Sequence, residues 1–474
     1  MKKYWLIWIL ILIGLTMFLW SQSKSFIPTI KIIGDVENVL TLGTNESEPH
    51  IKNNKYFRLE EVLDAAQPRN EEYSFIVVGH DGVMVQLKGT TKEDCVLQFE
   101  KEEGWVLIAE NYPPSSKIKD VKEIVVIAEG NLGDQGFTIF SQSTNLGHIT
   151  PGQLYLQSSY RLNDIQGNPT QIVDDKAYNL IAIKERKLLP ISSLIEAGQQ
   201  QVLFGADGTC IPIKGGYLEL YENQINYYEP DERLYISDVK GMVSDNSMGS
   251  IMDLYYDTLH YLENNQQVLI LFLDGLSYKQ FKLSTFKDYQ VNPVLSVYQP
   301  VTNAGFAAMI TGKSPKENGV LNREYRELRV GSIFQKAKDL DKETYLVEGD
   351  IKILNTEVDP LLHIDTNKNG TIDDEIYEKT LALIEEEPDL LMAHFHSIDD
   401  FGHSYGPMHN KTMEQIEAIN GYVTELIANW EGFVIITSDH GMHQEKIGGN
   451  HGTARYEDMV VPYIVTKGGK YNEE

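Results

Sequence analysis

Three acids and three histidines in the last 200 residues have the types and spacing of a hydrolytic metal centre: Asp274, Asp399, His403, Asp439, His440 and His451. Carboxylate plus imidazole is the ligand set of a zinc-type site. Asp399-x-x-Gly-His403-x-x-Gly-Pro brings acid and imidazole together in a compact, glycine-hinged stretch. Asp439-His440-Gly-Met presents an adjacent pair that has little structural purpose. His451 lies on a glycine-rich loop, Gly448-Gly-Asn-His-Gly. Singly, Asp274 before Gly275 reads equally well as a helix cap, and each histidine as a satisfied polar residue. Jointly, the four motifs point to metal chemistry. A nucleophile is available in Thr302, which opens a helical stretch running to Thr311-Gly312. The free amides and dipole of a helix N-terminus favour an anion there. Beside a metal, the hydroxyl becomes a candidate alkoxide, where otherwise it would be an ordinary N-cap.

The elements that must carry these groups are legible around them. Val268-Leu-Ile-Leu-Phe-Leu, Leu390-Leu-Met-Ala-His-Phe and Phe433-Val-Ile-Ile-Thr are apolar runs of strand length that end close to the acids. Such runs predict central parallel strands covered on both faces. Ligands of open α/β sheets gather beyond the carboxyl ends of the strands. A helix over 252–262, a strand over 344–348 and a helix over 374–386 continue a βαβ alternation, so the expected class is α/β with a doubly wound, mostly parallel sheet.

Upstream, short strands and turns dominate residues 25–245. Phe75-Ile-Val-Val-Gly-His-Asp81-Gly82 resembles Val202-Leu-Phe-Gly-Ala-Asp207-Gly208, and each is followed by Lys-Gly six residues beyond the Asp-Gly pair. Asp-Gly between apolar residues predicts a hairpin. Lys117-Ile-Lys-Asp120-Val-Lys likewise echoes Tyr235-Ile-Ser-Asp238-Val-Lys. The expected organisation is a membrane anchor or signal at 1–24, two copies of a small β-rich domain at 25–130 and 131–245, and a catalytic domain at 246–474. Short helices are expected before each hairpin, near Leu59 and near Leu189. The first copy bears a faint likeness to the molybdopterin-binding fold of sulfite-oxidase-type proteins. It has no cysteine where that family holds its metal, so no such cofactor follows. The repeats read as a stalk or as a module that binds a surface partner.

Composition narrows the function. A net charge of −28 disfavours a nucleic acid duplex as partner, but it allows a small phosphorylated substrate or phospho-headgroup whose charge a local cation would balance. The two cysteines, Cys95 and Cys210, do not make a disulfide framework. Sulfatases need a modifiable cysteine or serine as nucleophile, and no cysteine follows Cys210. Lys2 and Lys3 precede an uncharged, aromatic-flanked run over 4–20, the short end of a membrane span, with no small-residue cleavage motif after it. An uncleaved anchor with the catalytic domain outside is expected; a cleaved segment would give a secreted protein.

On these motifs, residues 265–470 resemble the alkaline phosphatase superfamily, most closely its type I phosphodiesterase/nucleotide pyrophosphatase branch. The stretches occur in the family's order. The resemblance implies two Zn2+, with Mn2+ as the alternative. Asp399, His403 and His451 would hold one ion. Asp274, Thr302, Asp439 and His440 would hold the other. Two ions about 4 Å apart clamp the attacking and leaving oxygens of an in-line displacement. It further implies attack by Thr302, a phospho-threonine intermediate, and stabilisation of the phosphoryl oxygens by the Asn303 amide. Two departures leave the substrate open. Asn303-Ala-Gly-Phe306 replaces the run usual in nucleotide-cleaving members, and Thr-Asn is similar to phosphonoacetate hydrolases. The phosphate-contacting Asn is offset to Asn322, with Arg323 and Arg326 beside it. Phosphodiesterase or pyrophosphatase activity is expected. Phosphomonoesterase, phosphonate hydrolase or phospho-headgroup transferase chemistry on the same centre is the alternative, and a surface binding protein with a vestigial site is the alternative of another class.

Asp365-x-Asn367-x-Asn369-Gly opens like a calcium loop, with oxygen ligands at alternate positions, and Asp373, Asp374 or Glu375 stands in for the final acid that Ile376 replaces. Ca2+ is expected there, against the plainer reading of a polar turn before a helix.

Overall fold

The computed structural model describes residues 27–43, 56–130, 132–166, 170–174, 176–179, 182–195, 200–231, 233–244 and 247–469. The apolar run at 4–20 lies outside them. Among the described residues no helix is long and apolar enough to cross a membrane. The chain forms two compact units, residues 1–130 with 151–156, and residues 131–150 with 157–474.

In the first unit, five strands run in the order Leu40–Leu42, Ile30–Gly34, Val121–Ala128, Tyr73–Gly79, Met84–Lys88. The strand pair Ile30–Gly34 and Val121–Ala128 is parallel and the others are antiparallel. The helix Leu59–Ala66 packs its Leu59, Val62, Leu63 and Ala66 into the core of this unit.

The second unit contains a sheet of the same order and orientation: Asn145–Ile149, Phe137–Phe140, Val239–Val243, Gln201–Gly205, Cys210–Ile213. Each hairpin turns through an Asp-Gly pair, and the same hydrogen bond closes both turns. Asp81 Oδ1 accepts from the Val83 amide and Asp207 Oδ1 from the Thr209 amide, each at 3.0 Å. Gly82 and Gly208 have φ of 84° and 79°, which favours glycine. The helix expected near Leu189 is instead the end of a strand, Ala182–Pro190, followed by a single 3-10 turn at Ile191–Ser193. Leu188, Leu189 and Pro190 pair with Tyr217–Glu219 across the sheet, and a proline holds the residue before it in extended geometry. This second β-rich segment is not a detached module. Its Phe140, Val202, Phe204 and Val243 share one buried cluster with Leu295, Tyr298, Tyr456 and Met459 of the catalytic region.

The catalytic region is built on eight strands: β1 (Gly249–Ser250), β2 (Val268–Leu273), β3 (Asn292–Leu295), β4 (Thr344–Glu348), β5 (Leu361–Leu362), β6 (Leu390–Phe395), β7 (Phe433–Thr437) and β8 (Val460–Lys467). Their spatial order is β1-β3-β8-β7-β2-β6-β4-β5. The block β7-β2-β6-β4-β5 is parallel throughout, and β8 is antiparallel to both its neighbours. Every residue of β2 is buried, because both sheet faces are covered. Val268, Ile270 and Phe272 face one core with helices α1 (Asp253–Glu263), α2 (Thr302–Thr311) and α3 (Ile333–Asp339). Leu269, Leu271 and Leu273 face the other, with α4 (Asp373–Ile384), α5 (Ser397–Tyr405) and α6 (Asn410–Asn429). Burying side chains of this size contributes about 1.5–3 kcal/mol each. The period-2 alternation of a continuous apolar run thus selects a central, doubly covered strand, and its carboxyl end becomes a fixed platform.

Candidate active site

Strand β2 lies between β7 and β6, so the carboxyl ends of three adjacent parallel strands meet. Asp274 follows β2 directly and is 3% exposed. It does not cap a helix; Ser277 caps the short helix that follows. Asp439 and His440 follow β7 and are fully buried. Helix α5 begins just after β6 and carries Asp399 and His403 one turn apart. Two glycines allow the close approach. A Cβ on Gly275 would stand 2.9 Å from the Asp399 Cβ, and one on Gly305 would stand 2.7 Å from the Asp439 Cβ. Gly305 lies in the first turn of α2, so this contact seats the Thr302 helix directly on the β7 end. The Ser296 hydroxyl donates to the Asp439 carbonyl, and the Ser438 hydroxyl donates to the His440 carbonyl at 2.7 Å, fixing the turn.

The ligand atoms converge. His440 Nε2 lies 3.4 Å from Asp274 Oδ1, 3.2 Å from Asp439 Oδ2 and 3.4 Å from Thr302 Oγ1. His451 Nε2 lies 3.6 Å from Asp399 Oδ1, and His403 Nε2 lies 3.3 Å from Asp399 Oδ2. Two trios have all their ligand atoms within 4.8 Å of one another: Asp274, Asp439 and His440; and Asp399, His440 and His451. His440 thus stands between the two groups, its ring stacked on His451 at 3.7 Å, while the His403 ring lies 5.0 Å from that of His451.

The hydrogen-bond pattern tests whether these groups suit a cation. His440 Nδ1 donates to the Gly441 carbonyl at 3.0 Å and His451 Nδ1 to the Pro300 carbonyl at 2.8 Å. Burial pushes His440 down to about 4 and His451 down to about 3, so both rings are neutral at pH 7. Their Nε2 atoms therefore carry no hydrogen and present lone pairs, that of His451 also accepting from Arg323. Those lone pairs face Asp274 Oδ1, Asp439 Oδ2 and Asp399 Oδ1, three buried oxygens that accept no hydrogen bond. Lone pairs opposed to unpaired carboxylate oxygens are unfavourable unless a cation lies among them, and so the residues fit divalent metal ions.

The acids respond to one another. Burial, then the neighbouring Asp439 and Asp399, raise Asp274 well above the carboxylate range. Burial raises Asp439 to about 7. Burial also opposes ionisation of Asp399, but the hydrogen bond with His403 and the histidines around it hold that group below the ordinary value. The same bond raises His403. Arg323 brings a guanidinium to His451 Nε2.

Other expected residues take different places. Asn303 spends its side-chain amide on the Tyr325 carbonyl at 3.0 Å; its backbone N–H lies in the first turn of α2, where amides lack helical partners. The Asn322 side chain accepts from the Glu324 amide at 2.9 Å and so shapes its own turn, while the adjacent Arg323 makes the contact to the site. Arg326 binds the Lys352 carbonyl. Asp365, Asn367 and Asn369 share one exposed loop and accept amides within it. Asp373 is 1% exposed and elsewhere engaged: it accepts from the amides of His396 and Ser397 at 2.8 and 3.0 Å, at the start of α5. Cys95 and Cys210 are free thiols.

Three residues that sequence reasoning did not single out also border the centre. His394 Nε2 lies 3.1 Å from the second oxygen of Asp274, His396 lies 3.8 Å from it, and Glu348 sits 3.7 Å from His394. A histidine inside an otherwise apolar central strand was the one visible sign of this group.

Residues 326–462 match the type I phosphodiesterase / nucleotide pyrophosphatase family. That stretch contains Asp399, His403, Asp439, His440 and His451; Asp274 and Thr302 precede it. GPI ethanolamine phosphate transferase 3 of Eremothecium gossypii is 31% identical over 94 residues, which is 19% of this chain and 9% of that protein. The chain thus spans under a tenth of the length of this curated relative. Among solved structures, murine ectonucleotide pyrophosphatase / phosphodiesterase 5 is 18% identical with a TM-score of 0.32, covering 38% of this chain and 59% of that one. The human counterpart is 14% identical with a TM-score of 0.34, covering 44% and 91%. The family match over residues 326–462 bears out the resemblance to the type I phosphodiesterase/nucleotide pyrophosphatase branch of the alkaline phosphatase superfamily.

Proposed function

We propose that this chain is a metal-dependent phosphoryl-transfer enzyme of the phosphodiesterase type, with Thr302 as nucleophile. The observation that carries this reading is the set of unprotonated imidazole nitrogens of His440 and His451 facing buried, unpaired carboxylate oxygens beside a hydroxyl at a helix N-terminus. Asp274, Asp439 and His440, with Thr302, would hold one ion; Asp399, His403 and His451 would hold the other. His440 borders both groups. Zn2+ suits the imidazole and carboxylate set, with Mn2+ as the alternative. When bound, the ions would supply Lewis acidity and charge neutralisation at the phosphoryl group.

The chain's own residues do the rest. Thr302 Oγ attacks phosphorus in line with the leaving oxygen, the P–O bond to the leaving group breaks, and a phospho-threonine forms. Water then cleaves the P–Oγ bond and restores the hydroxyl. The α2 dipole and the Asn303 amide favour the anionic phosphoryl oxygens, and Arg323 adds a positive charge at the rim. The Gly305–Asp439 contact fixes where the nucleophile sits relative to the acids.

Interception of the phospho-threonine by an alcohol instead of water would make the enzyme a phospho-headgroup transferase. The 31% identity to a GPI ethanolamine phosphate transferase favours this as the second reading. An apolar run at 4–20, preceded by two lysines, supports attachment to a membrane with the centre outside. The test compares hydrolysis of bis(p-nitrophenyl) phosphate and p-nitrophenyl phosphate, with zinc and after chelation, and with added glycerol as acceptor. Zinc-dependent cleavage of the diester supports the proposal, and glycerol phosphate among the products supports the transferase reading. Loss of neither substrate with metal-replete protein contradicts both.

A further inference from the structure

Asp274 is gripped from behind as well as from the front. Its Oδ1 faces His440, and its Oδ2 faces away, toward His394 Nε2 at 3.1 Å and His396 Nδ1 at 3.8 Å. His394 lies on β6 directly opposite Phe272 of β2. It is fully buried, and its ring stacks on Phe272 at 3.8 Å and 10°, with His396 3.9 Å away. Its other nitrogen, Nδ1, faces Glu348 Oε1 at 3.7 Å. Glu348 ends β4, is fully buried, and neither of its carboxylate oxygens accepts a hydrogen bond. Three adjacent strand ends thus set Glu348, His394 and Asp274 in one buried row.

Asp274, His394 and His396 also bring ligand atoms within 4.8 Å of one another, as a third metal site would. The amide of Gly349 decides against it. That N–H donates to His396 Nε2 at 3.2 Å. A nitrogen that accepts carries no hydrogen, so the hydrogen of His396 is on Nδ1, the atom turned toward Asp274. A protonated nitrogen cannot ligate a metal. At His440 and His451 the arrangement is the reverse, with the far nitrogen donating and the near one carrying no hydrogen.

We infer that His394 and Glu348 are positioning residues for Asp274: Glu348 orients the imidazole, and the imidazole holds Oδ2 so that Oδ1 is presented to the ion shared with Asp439 and His440. This rests on the two-metal reading above. The carboxylate–imidazole row lies behind a metal-holding acid, where outer partners typically change metal affinity 10- to 100-fold.

The test is zinc titration of the full-length protein against a chromophoric chelator, for the wild type, His394→Leu, His394→Gln and Glu348→Gln. The wild type is expected to bind two zinc ions. His394→Leu should weaken one of them roughly 10- to 100-fold and leave the other unchanged, which also certifies the fold. His394→Gln keeps an N–H donor and should retain more of the affinity; Glu348→Gln should shift the same site in the same direction. Two ions bound with unchanged affinity in His394→Leu would overturn the inference while leaving the two-metal reading intact. A third ion in the wild type, absent from His394→Leu, would overturn it in favour of a metal site. If His394→Leu loses both ions, Glu348→Gln decides: selective weakening of one site supports the inference and no change refutes it. A wild type that binds no zinc would instead sink the two-metal reading itself.

Discussion

Gly305→Ala is the most revealing single substitution in this molecule. The position is helical, and in an open helix alanine is favoured over glycine by about 0.5–1 kcal/mol. Here the added Cβ meets the Asp439 Cβ at 2.7 Å and the Asp439 carbonyl oxygen at 2.8 Å, where ordinary contact begins at 3.4 Å. Asp439 is fully buried at a central strand end and has little room to give. Helix α2 must therefore retreat by about 0.7 Å, and Thr302 moves with it. Misplacement by 1 Å costs on the order of 100-fold in rate, so the substitution should lower kcat for bis(p-nitrophenyl) phosphate by roughly 10- to 100-fold. The control is Gly421→Ala on α6, where an added Cβ meets nothing within 4 Å. It should raise stability by about 0.5–1 kcal/mol and leave kcat unchanged. Rates and thermal unfolding of the two variants give the answer. Wild-type kcat in Gly305→Ala would refute the claim that the contact between α2 and β7 positions the nucleophile.

Other expectations concern the nucleophile, the ligands and pH. Thr302→Ala should abolish turnover while thermal unfolding stays within about 1 kcal/mol of wild type, and retained turnover would assign the nucleophile elsewhere. Asp439→Asn should lower zinc content measured by elemental analysis, and unchanged stoichiometry would remove it from the ligand set. Asp439 is raised to about 7 in the folded chain against an ordinary 3.8. Between those values the folded state holds a proton that the unfolded state has lost, so stability falls as pH rises through this window. In chelator, the unfolding free energy should therefore fall between about pH 4 and pH 7, by up to roughly 4 kcal/mol at 1.36 kcal/mol per pH unit, and zinc should abolish the fall. An unfolding free energy that rises with pH in chelator would contradict the burial of an uncompensated acid.

The sequence displayed the platform more clearly than the fittings. Six consecutive apolar residues before Asp274 have no stable place except between two covered faces, so β2 and its neighbours were legible from pattern alone. The motif acids and histidines were legible because their loops are local: Asp399 and His403 are one helical turn apart, and Asp439 and His440 are adjacent. What pattern cannot show is which groups from distant strands face one another. His394 read as part of a hydrophobic run, and only the register of β6 against β2 puts it behind Asp274. Asp373 read as a loop acid, and only the packing of α4 beside α5 turns it into the cap of another segment. The strand end at Leu189 read as helical because it precedes the second hairpin as the Leu59 segment precedes the first; the cross-strand pairing with Tyr217–Glu219 decides otherwise.

Anomalous diffraction at the zinc edge, on crystals of the protein grown with zinc, addresses the central claim most directly. The account predicts two peaks, one bounded by Asp274, Asp439 and His440 and the other by Asp399 and His451 with His403 beside it. Peaks confined to other surfaces, with none between His440 and His451 and the three acids, would contradict it.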